Sequence, residues 1–439
     1  MIKTEKKYIG IRREDKNKWE KRVPLIPSHL SELSRDGVRF LVQPSTIRVF
    51  RDEEYQRAGA QVSEDMSDCD VILAVKEVPL HLIRKNTVYL FFSHTIKGQP
   101  QNMPLLKKMM EMGNTLIDYE RIVDEKNRRL LFFGTQAGQA GMIETLYALG
   151  RRLRVTVGSH AFEKIRQAYD YESLVEAREH IGEIGRNIHR QGLGDIPTPL
   201  VVGFSGYGRV SQGAQEMFDL LPHEEIRPEE LSGLAKNRKQ TKHGLFKVVF
   251  KEEHLVESVS GRPFDLQDYY DHPEGYRSVF ESYLPHLTVL VNCIYWTPSY
   301  PRLVTKTALE KLWNETKRPV LQVIGDISCD INGSIECTEK STTPDVPVFL
   351  YDPLSRTVQD GFSGDGVVVM AIDNLPAELP RESSLFFSQG LKEFMPSLAA
   401  ADFSGSFEEC GLSAPLRRAA VLFRGSLTPD YSYLRGYLG

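Results

Sequence analysis

The first 140 residues alternate between short apolar runs and amphipathic segments. The apolar runs are rich in β-branched or aromatic residues, and they are KYIGIRR, VRFLVQP, DVILAVKEV and NTVYLFFSH. Amphipathic segments of helical spacing, PSHLSELSRDG and EEYQRAG, lie between the first three runs and end at Gly37 and Gly59. Runs that are apolar along their whole length are typical of parallel strands buried on both faces of a sheet. The pattern therefore predicts an α/β domain at the start of the chain.

A second α/β series follows a long helix and a linker. GMIETLYALGRRLRV has the apolar spacing of a helix, and SLVEAREHIGEIGRNIHRQGLGDIPTP combines a polar helix with a Gly/Pro linker, which indicates a domain border nearby. Beyond it, the strand-like runs PLVVGFSGYG, LTVLVNCIYW and PVLQVIGDIS each end in polar or glycine residues. These runs predict a second doubly wound sheet, and VVVMAIDNLPAELPRESSLFFSQGLKEFMPSL adds a further strand and helix.

The interval from about Arg227 to Tyr276 interrupts this alternation. It contains KNRKQTKHG and DLQDYYDHPEGYRS, which are too polar for a core. We interpret it as an insertion or an elaborated crossover, to which the sequence assigns no role.

Length and charge narrow the class of protein. The chain has 439 residues, and because a domain usually holds about 100 to 200 residues, two domains are expected. Lys and Arg number 55 against 59 Asp and Glu, which gives a net charge of −4. The basic residues are scattered, so the sequence carries no electrostatic footprint for nucleic acid. Small solutes are the favoured partners.

The cysteines and the start of the chain predict the compartment. The five cysteines are odd in number and form no CxxC pair, which argues against a zinc cage and a disulfide framework. The start of the chain lacks the apolar core of a signal peptide, and no run approaches the ~18 apolar residues that cross a bilayer. We expect a soluble, cytoplasmic protein that does not bind a membrane.

The stretch VVGFSGYGRVSQGAQEMFDLL, residues 201–221, has the form of a dinucleotide-binding turn. Gly206 would permit the tight bend, and Gly208 would let the backbone approach a pyrophosphate at the start of a helix. Ser211 replaces the third glycine, so either the helix stands further off or Gly213 and Ala214 supply the small contact. An ordinary strand-to-helix turn remains the alternative, and the preceding strand favours the dinucleotide turn.

Polar residues end two neighbouring strand-like runs of the first domain. Lys76 and Glu77 follow one run, and Ser93 and His94 follow the next. Ligands of open α/β sheets bind at the carboxyl ends of strands, so an amine and an imidazole would converge there and could move protons. The alternative is a surface lysine and a capping histidine.

Two further charged pairs follow strand-like or loop segments. They are Glu20 with Arg22 in EKRVPLIP and Asp118 with Glu120 in LIDYERI. Either pair could be part of a pocket or plain surface charge, which is the usual position of such residues.

Together these motifs identify a family resemblance over nearly the whole chain. The motifs are RREDKNKWEKRVPLIP, FFSHTIKGQ, FFGTQAGQAGM, GYGRVSQGAQ, NCIYW, DISCDINGSIE and IDNLPAELPRESS. The chain resembles the lysine-ketoglutarate reductase half of the bifunctional aminoadipic semialdehyde synthases. More distantly, it resembles the lysine-forming saccharopine dehydrogenases and the alanine dehydrogenases.

The resemblance implies an α/β fold of two Rossmann-like, doubly wound parallel-sheet domains with the active site in the cleft between them. Residues 1–140 and 365–439 would form a substrate domain like the N-terminal domain of alanine dehydrogenase. Residues 141–364 would form the nicotinamide-binding Rossmann domain, with the charged insertion near 227–276.

The resemblance also implies roles for individual residues. Lys76 and His94 match the family's acid–base lysine and histidine. The substrate-binding positions are Arg22, Glu77, Glu120, Arg129 (on or next to a basic residue of the family) and Asp326, with Asp330 a weaker candidate. The cofactor-binding positions are Ser205, Gly206, Tyr207, Gly208, Arg209, Val210, Arg227, Asp326, Ile372, Asp373 and Leu375. No metal is expected.

The implied reaction is the NAD(P)H-dependent condensation of L-lysine with 2-oxoglutarate to saccharopine, or its reverse. NADPH is favoured over NADH, with Arg227 facing the 2′-phosphate, although Glu225 and Glu229 beside it would suit NADH. The saccharopine-oxidising half is missing, so a separate partner enzyme is expected, and a homo-oligomer remains open. Two alternatives remain: an alanine-dehydrogenase-like reductive aminase, and a catalytically inactive nicotinamide-binding regulatory module.

Overall fold

The chain folds into two units, and the first of them is discontinuous in sequence. The computed structural model describes residues 8–234 and 244–439. Unit 1 comprises residues 1–133 and 380–439, and unit 2 comprises residues 134–379. The resemblance implied borders at residues 140 and 364 instead. Part of the predicted charged insertion, residues 235–243, lies outside the described residues.

The first segment of unit 1 alternates strands and helices. Its strands are β1 (Tyr8–Ile11), β2 (Phe40–Val42), β3 (Gln61–Val62), β4 (Cys69–Leu73), β5 (Val88–Phe91) and β6 (Thr115–Asp118). Its helices are α1 (Pro27–Arg35), α2 (Asp52–Arg57) and α3 (Met103–Glu111). The apolar runs predicted β1, β2, β4 and β5, whose side chains are mostly buried on both faces of the sheet. The short edge strand β3 has exposed and half-buried side chains and was not predicted.

Unit 2 begins with a long helix, and its described residues form ten strands. The helices are α4 (Gly134–Thr156), α5 (Leu174–Gln191), α6 (Arg209–Phe218), α7 (Leu231–Leu234), α8 (Glu252–Leu255), α9 (Leu266–Asp271) and α10 (Lys306–Glu315). The strands are β7 (Leu200–Ser205), β8 (Glu224–Ile226), β9 (Leu245–Phe250), β10 (Val256–Ser258), β11 (Tyr276–Ser278), β12 (Val289–Asn292), β13 (Val323–Asp326), β14 (Val348–Asp352), β15 (Thr357–Asp360) and β16 (Val367–Met370).

The last segment returns to unit 1 and completes its sheet. It contains α11 (Pro380–Leu391), α12 (Met395–Ala400), α13 (Ala414–Ala419), β17 (Ala420–Phe423) and β18 (Ser426–Leu427). The strand order is β18-β17-β6-β5-β4-β1-β2-β3. Strands β1 to β6 are parallel, whereas β17 runs antiparallel to β6 and β18 antiparallel to β17.

The sheet of unit 2 has eight strands in the order β15-β14-β16-β13-β12-β7-β9-β8. Its central strands are parallel, and β14 and β15 add an antiparallel edge. The prediction of two parallel-rich α/β sheets is therefore confirmed, with antiparallel strands added at one edge of each. On the side away from β12, β7 pairs with β9, whereas β8, which comes first in sequence, lies at the edge.

Each sheet is covered by apolar residues on both faces. One core cluster fills unit 1, and two clusters cover the opposite faces of the sheet in unit 2. Among the described helices, none combines the length and the hydropathy that a membrane span requires.

Candidate active site

The predicted acid–base residues of unit 1 follow adjacent strands. Strands β1, β4, β5 and β6 are parallel neighbours, so their carboxyl ends lie at one edge of the sheet. Lys76 follows β4 and His94 follows β5, and Lys76 acts electrostatically on His94. The fold therefore places both residues at the same edge of the sheet.

Lys76 is a largely buried amine. Burial lowers its pKa, the cation of Arg22 lowers it further, and the carboxylate of Glu20 opposes the shift. In such surroundings the Lys76 amine loses its proton at a pH closer to neutrality. A proton acceptor needs this property.

Glu14 holds the backbone from which Lys76 projects, and the sequence analysis did not identify it. The amides of Val75 and Lys76 donate to its two carboxylate oxygens at 2.7 and 3.0 Å. Burial, followed by the charge of Glu20, raises the pKa of Glu14 to about 7. The only signal in the sequence is that Glu14 comes shortly after β1, at the same edge of the sheet as Lys76.

His94 adopts a left-handed backbone conformation, with φ of 55°. The side-chain amide of Asn102 donates to its carbonyl at 2.8 Å, which supports this unusual conformation. Its Nδ1 lies 4.0 Å from a carboxylate oxygen of Glu120. Burial lowers the pKa of His94, and the charge of Glu77 opposes that effect. A neutral imidazole near neutral pH can accept a proton.

Glu77 is an ionised carboxylate between cations. Burial works against its charge, but its own backbone amide and the charges of Lys16, His94 and Lys76 leave its pKa lowered overall. The ammonium of Lys16 lies 3.3 Å from the nearer carboxylate oxygen.

Glu20 and Arg22 form a buried ion pair, so the interpretation of this pair as surface charge was wrong. Arg22 Nε and Nη2 donate to the two oxygens of Glu20 at 2.8 and 2.6 Å. The two residues are only 1% and 3% exposed. The guanidinium also lies 4.4 Å from the ring centroid of Phe133. The Nε and Nη2 edge of the Arg22 guanidinium is therefore bound to Glu20. Contact of Arg22 with a substrate remains a prediction.

Asp118 and Glu120 are also buried, which again excludes surface charge. Asp118 accepts hydrogen bonds from the Ser93 hydroxyl at 2.5 Å and from the Glu120 amide at 2.8 Å, so it fixes the turns that follow β5 and β6. Burial raises the pKa of Asp118 to about 6 against these hydrogen bonds. Glu120 forms an ion pair with Arg129, whose side chain is half exposed.

The glycine turn of unit 2 has the conformation that the sequence predicts. Gly206 follows β7 with φ of +85°, and its amide donates to the carbonyl of Phe250 at 2.9 Å. Gly208 is the N-cap of α6, and a Cβ at that position would meet nothing within 4 Å. Open space in front of a helix N-terminus fits a phosphate group, because free amides and the helix dipole favour negative charge.

The other residues of the turn divide into exposed and buried groups. Tyr207, Gly208 and Arg209 are exposed. Ser205 is buried, and its hydroxyl donates to the Asn292 side-chain oxygen at 2.9 Å. A cofactor contact by the Ser205 side chain would require breaking this bond.

The position of the missing third glycine is filled without loss of close packing. Ser211 is buried, and its hydroxyl accepts a hydrogen bond from Gln215 at 2.9 Å. A Cβ on Gly213 would overlap the carbonyl oxygen of Thr135, and a Cβ on Gly138 would overlap that of Val210. Gly213 makes a close contact with α4, whereas the prediction placed its small contact between the helix and the strand.

Asp326 ends β13 in a buried hydrogen-bond network. Asn292 donates to one of its oxygens at 2.8 Å and Thr338 to the other at 2.6 Å. Burial raises the pKa of Asp326 to about 6 against these bonds. Asp330 is exposed four residues later. Through Asn292, Asp326 links the carboxyl end of β13 to that of β12. Contact of Asp326 with a ligand remains a prediction.

The predicted cofactor residues Ile372, Asp373 and Leu375 follow β16, which pairs with β13. Ile372 and Leu375 are each 2% exposed, whereas Asp373 is exposed. They thus lie near the same edge of the sheet as Asp326.

Arg227 does not lie beside the glycine turn. It follows the edge strand β8, its side chain is 78% exposed, and its Nε lies 3.4 Å from Glu230. Of its two acidic neighbours, Glu225 contacts Lys247 at 3.7 Å and Glu229 contacts His254 at 3.5 Å. The spacing of about 20 residues pointed to Arg227 because it assumed that the next strand in sequence pairs with β7.

A cavity of 380 Å³ adjoins the glycine turn instead. The described residues that line it come from the turn, from the segment after β9, from the β10–β11 hairpin and from the loop after β12. A larger cavity of 590 Å³ opens at the amino ends of β7, β12, β13 and β16. Of these two cavities, the smaller one borders the glycine turn. Within the described residues, no group of three His, Cys, Asp or Glu is arranged to hold a metal ion.

Comparison with known proteins shows relatives over almost the full chain. The alpha-aminoadipic semialdehyde synthase of Arabidopsis thaliana is 40% identical over 97% of this chain and 41% of its own length. The chain is a homologue of the alpha-aminoadipic semialdehyde synthases. It spans less than half the length of the plant and mouse synthases that it matches. A Neurospora crassa protein named saccharopine dehydrogenase [NAD(+), L-lysine-forming] is 27% identical over 89% of this chain and 90% of its own length.

The domain and fold comparisons agree with this relationship. Residues 10–140 of this chain match the family described as alanine dehydrogenase/PNT, N-terminal domain. A solved L-alanine dehydrogenase structure shares the fold, with a TM-score of 0.62, 19% sequence identity, and coverage of 98% of this chain and 100% of that one. The domain match lies in unit 1, and the structural match shows a shared fold over the chain.

Proposed function

We propose that the chain is an NAD(P)H-dependent oxidoreductase of lysine metabolism, and that it condenses L-lysine with 2-oxoglutarate to saccharopine or catalyses the reverse reaction. The observation that carries this proposal is the pair Lys76 and His94, half-buried after the carboxyl ends of the adjacent strands β4 and β5, with both pKa values lowered. The names of the relatives support the substrate class.

The cofactor class rests on the glycine turn. The positive φ of Gly206, the open space at Gly208 and the N-terminus of α6 fit a dinucleotide pyrophosphate. When bound, a reduced nicotinamide supplies the hydride. The preference for NADPH remains part of this proposal, but Arg227 no longer supports it.

The residues of unit 1 would handle protons and charges. Condensation requires a neutral substrate amine, so Lys76 and His94 would accept and return protons at the amine and at the departing water. Glu77 and Glu120 would bind ammonium groups of the amino acid. Arg22 and Arg129 would bind carboxylates, as a guanidinium can.

The substitution Lys76→Met tests this function. We expect it to lower kcat for saccharopine formation by at least about 100-fold, because a general acid–base group is removed. The rate is followed by nicotinamide absorbance with lysine and 2-oxoglutarate. The control is Lys85→Met, which removes an exposed lysine at the amino end of β5 and should leave kcat unchanged.

Two outcomes would contradict the proposal. Full activity in Lys76→Met would remove Lys76 from the mechanism. Turnover of pyruvate and ammonia in place of lysine and 2-oxoglutarate would identify a reductive aminase of the alanine dehydrogenase type.

A further inference from the structure

The charged insertion forms a wall of the cavity beside the glycine turn. The described residues of the insertion include β9, which is a strand of the main sheet. The part that follows β9 contains α8, β10, α9 and the start of β11, and β10 pairs antiparallel with β11. We propose that this part of the insertion binds the adenosine end of the cofactor and that Glu252 contacts the adenosine ribose. This inference rests on the cofactor class proposed above.

The strand order places Glu252 where a dinucleotide would present its ribose. In a Rossmann sheet, the residue that contacts the ribose hydroxyls follows the strand next to the one that carries the glycine turn. Here that strand is β9, which pairs with β7 along its full length. Glu252 follows the end of β9 by two residues and lines the cavity, together with Gly206 and Gly208 of the turn.

Two tyrosines hold the Glu252 carboxylate at the mouth of the turn. The Tyr270 hydroxyl donates to Glu252 at 2.9 Å. The charge of Glu252, burial and a hydrogen bond to the same carboxylate raise the pKa of the Tyr207 hydroxyl. Tyr207 belongs to the glycine turn and Tyr270 to α9, so the carboxylate links the turn to the insertion.

The insertion also supplies a flat apolar surface. Leu255 and Val256 line the cavity, and Tyr270 lines it with a side chain that is 45% exposed. Behind it, Tyr269 is buried and packs edge to face on Tyr300, with ring centroids 5.3 Å apart. An exposed ring on a fixed aromatic cluster is a suitable platform for a purine, because aromatic planes stack on nucleobases. The volume of 380 Å³ also falls within the range of small-molecule sites, about 300 to 1,000 Å³.

The charge of Glu252 makes it a determinant of specificity. A carboxylate can accept hydrogen bonds from both ribose hydroxyls, whereas it repels a 2′-phosphate in a partly desolvated site. With Glu252 at this position, the site should bind NADP(H) less well relative to NAD(H) than it would with a neutral residue there. The contribution holds whichever cofactor the enzyme prefers as a whole.

Binding of cofactor fragments tests the role of Glu252 without the reaction. Isothermal titration calorimetry would measure the Kd of ADP-ribose and of 2′-phospho-ADP-ribose with the full chain and with Glu252→Gln. We expect Glu252→Gln to lower the Kd of 2′-phospho-ADP-ribose, relative to the Kd of ADP-ribose, by at least about tenfold. The substitution removes a charge-assisted hydrogen bond to the ribose and a repulsion of the 2′-phosphate. Circular dichroism would establish that each variant is folded.

Two matched controls accompany this variant. Glu253→Gln removes the same charge at the next residue, whose side chain is 53% exposed, and should leave the ratio unchanged. Arg227→Ala should also leave it unchanged, because that side chain follows the edge strand. An unchanged ratio in Glu252→Gln, or an equal shift in Glu253→Gln, would overturn the assignment.

The Tyr270 ring is tested by a pair of substitutions. We expect Tyr270→Ala to raise the Kd of both fragments to a similar extent, by about tenfold, because stacking of the base does not depend on the 2′-phosphate. Tyr270→Phe should keep most of the affinity, since the ring remains. Equal binding by the unmodified chain and by Tyr270→Ala would overturn the stacking role of Tyr270.

These outcomes are distinct from those of the proposed reaction. Saccharopine formation with an unchanged Kd ratio would reject the adenosine site alone. The expected shift without saccharopine formation would reject the reaction and leave the adenosine site standing. Failure of the unmodified chain to bind either fragment would reject both.

Discussion

Glu14 shows how a residue outside the predicted site determines its geometry. Both of its oxygens accept backbone amides at residues 75 and 76, so the start of the loop after β4 is fixed from the end of β1. The side chain of Lys76 projects from that fixed point. Glu14 is thus a positioning residue, which acts on Lys76 through the backbone.

Loss of Glu14 should affect both stability and turnover. In Glu14→Ala, two buried amides lose their acceptors, and we expect the free energy of unfolding to fall by about 2 kcal/mol. We also expect kcat to fall by at least about tenfold while KM for the cofactor is unchanged. Urea unfolding and steady-state rates measure the two effects. Glu14→Gln retains one acceptor oxygen and should be intermediate in both, and a folded Glu14→Ala variant with normal kcat would exclude the positioning role.

The acid–base residues could be predicted from the sequence, whereas Glu14, which fixes the backbone at Lys76, could not. Lys76 and His94 end two consecutive strand-like runs, so adjacency of the strands was enough to bring them together. The role of Glu14 depends on the pairing of β1 with β4, which no local pattern reveals. Arg227 was selected by counting residues, and the strand order then placed it at the edge of the sheet.

At the scale of elements, α4 and α6 approach each other through glycines. Gly138 on α4 faces the carbonyl of Val210, and Gly213 on α6 faces that of Thr135. This packing sets the position of α6, whose N-terminus forms the glycine turn. The sequence suggested Gly213 as a small contact, but it could not identify α4 as the partner, because α4 lies more than 50 residues earlier.

Filling this contact should destabilise the protein. We expect Gly138→Ala to lower the free energy of unfolding by about 1 to 3 kcal/mol, because the added methyl group overlaps backbone atoms that cannot move away freely. Gly182→Ala in α5 is the control: its Cβ would lie 3.6 Å from the nearest atom, a flexible arginine nitrogen. That change should be neutral or stabilise by up to about 1 kcal/mol. Thermal unfolding monitored by circular dichroism compares the two, and equal effects would reject the packing argument.

At the scale of the whole molecule, buried carboxyl groups set the response to pH. The pKa is raised by burial in Glu14, Asp118, Glu144, Asp326 and Glu378. For Glu144 it rises to about 7, while the Ala168 amide, donating at 2.6 Å, opposes the shift. At these five groups the folded protein holds protons that the unfolded chain has released, so their contribution to stability should fall as pH rises from about 4.5 to about 7. The histidines whose pKa is lowered by burial contribute in the opposite direction.

Glu378 tests this pH dependence. It is 2% exposed, and burial together with the charge of Glu144 raises its pKa well above the ordinary value. We expect Glu378→Gln to reduce the loss of stability between pH 5 and pH 8 by about 1 kcal/mol or more, since a neutral amide needs no proton to remain buried. Urea unfolding at several pH values measures this, with the exposed Glu179→Gln as control. An identical pH profile in Glu378→Gln would contradict the argument.

The return of the last segment to unit 1 has a consequence for synthesis of the protein. Strand β6 pairs on one side with β5, and on the other side with β17, which the ribosome adds only after all of unit 2. During that interval the nascent chain presents β6 as an open edge, with unpaired amides and carbonyls that can recruit another strand. Until residues 420–423 emerge, protection of that edge must come from outside the chain, so a nascent-chain chaperone is expected to matter more for unit 1 than for unit 2.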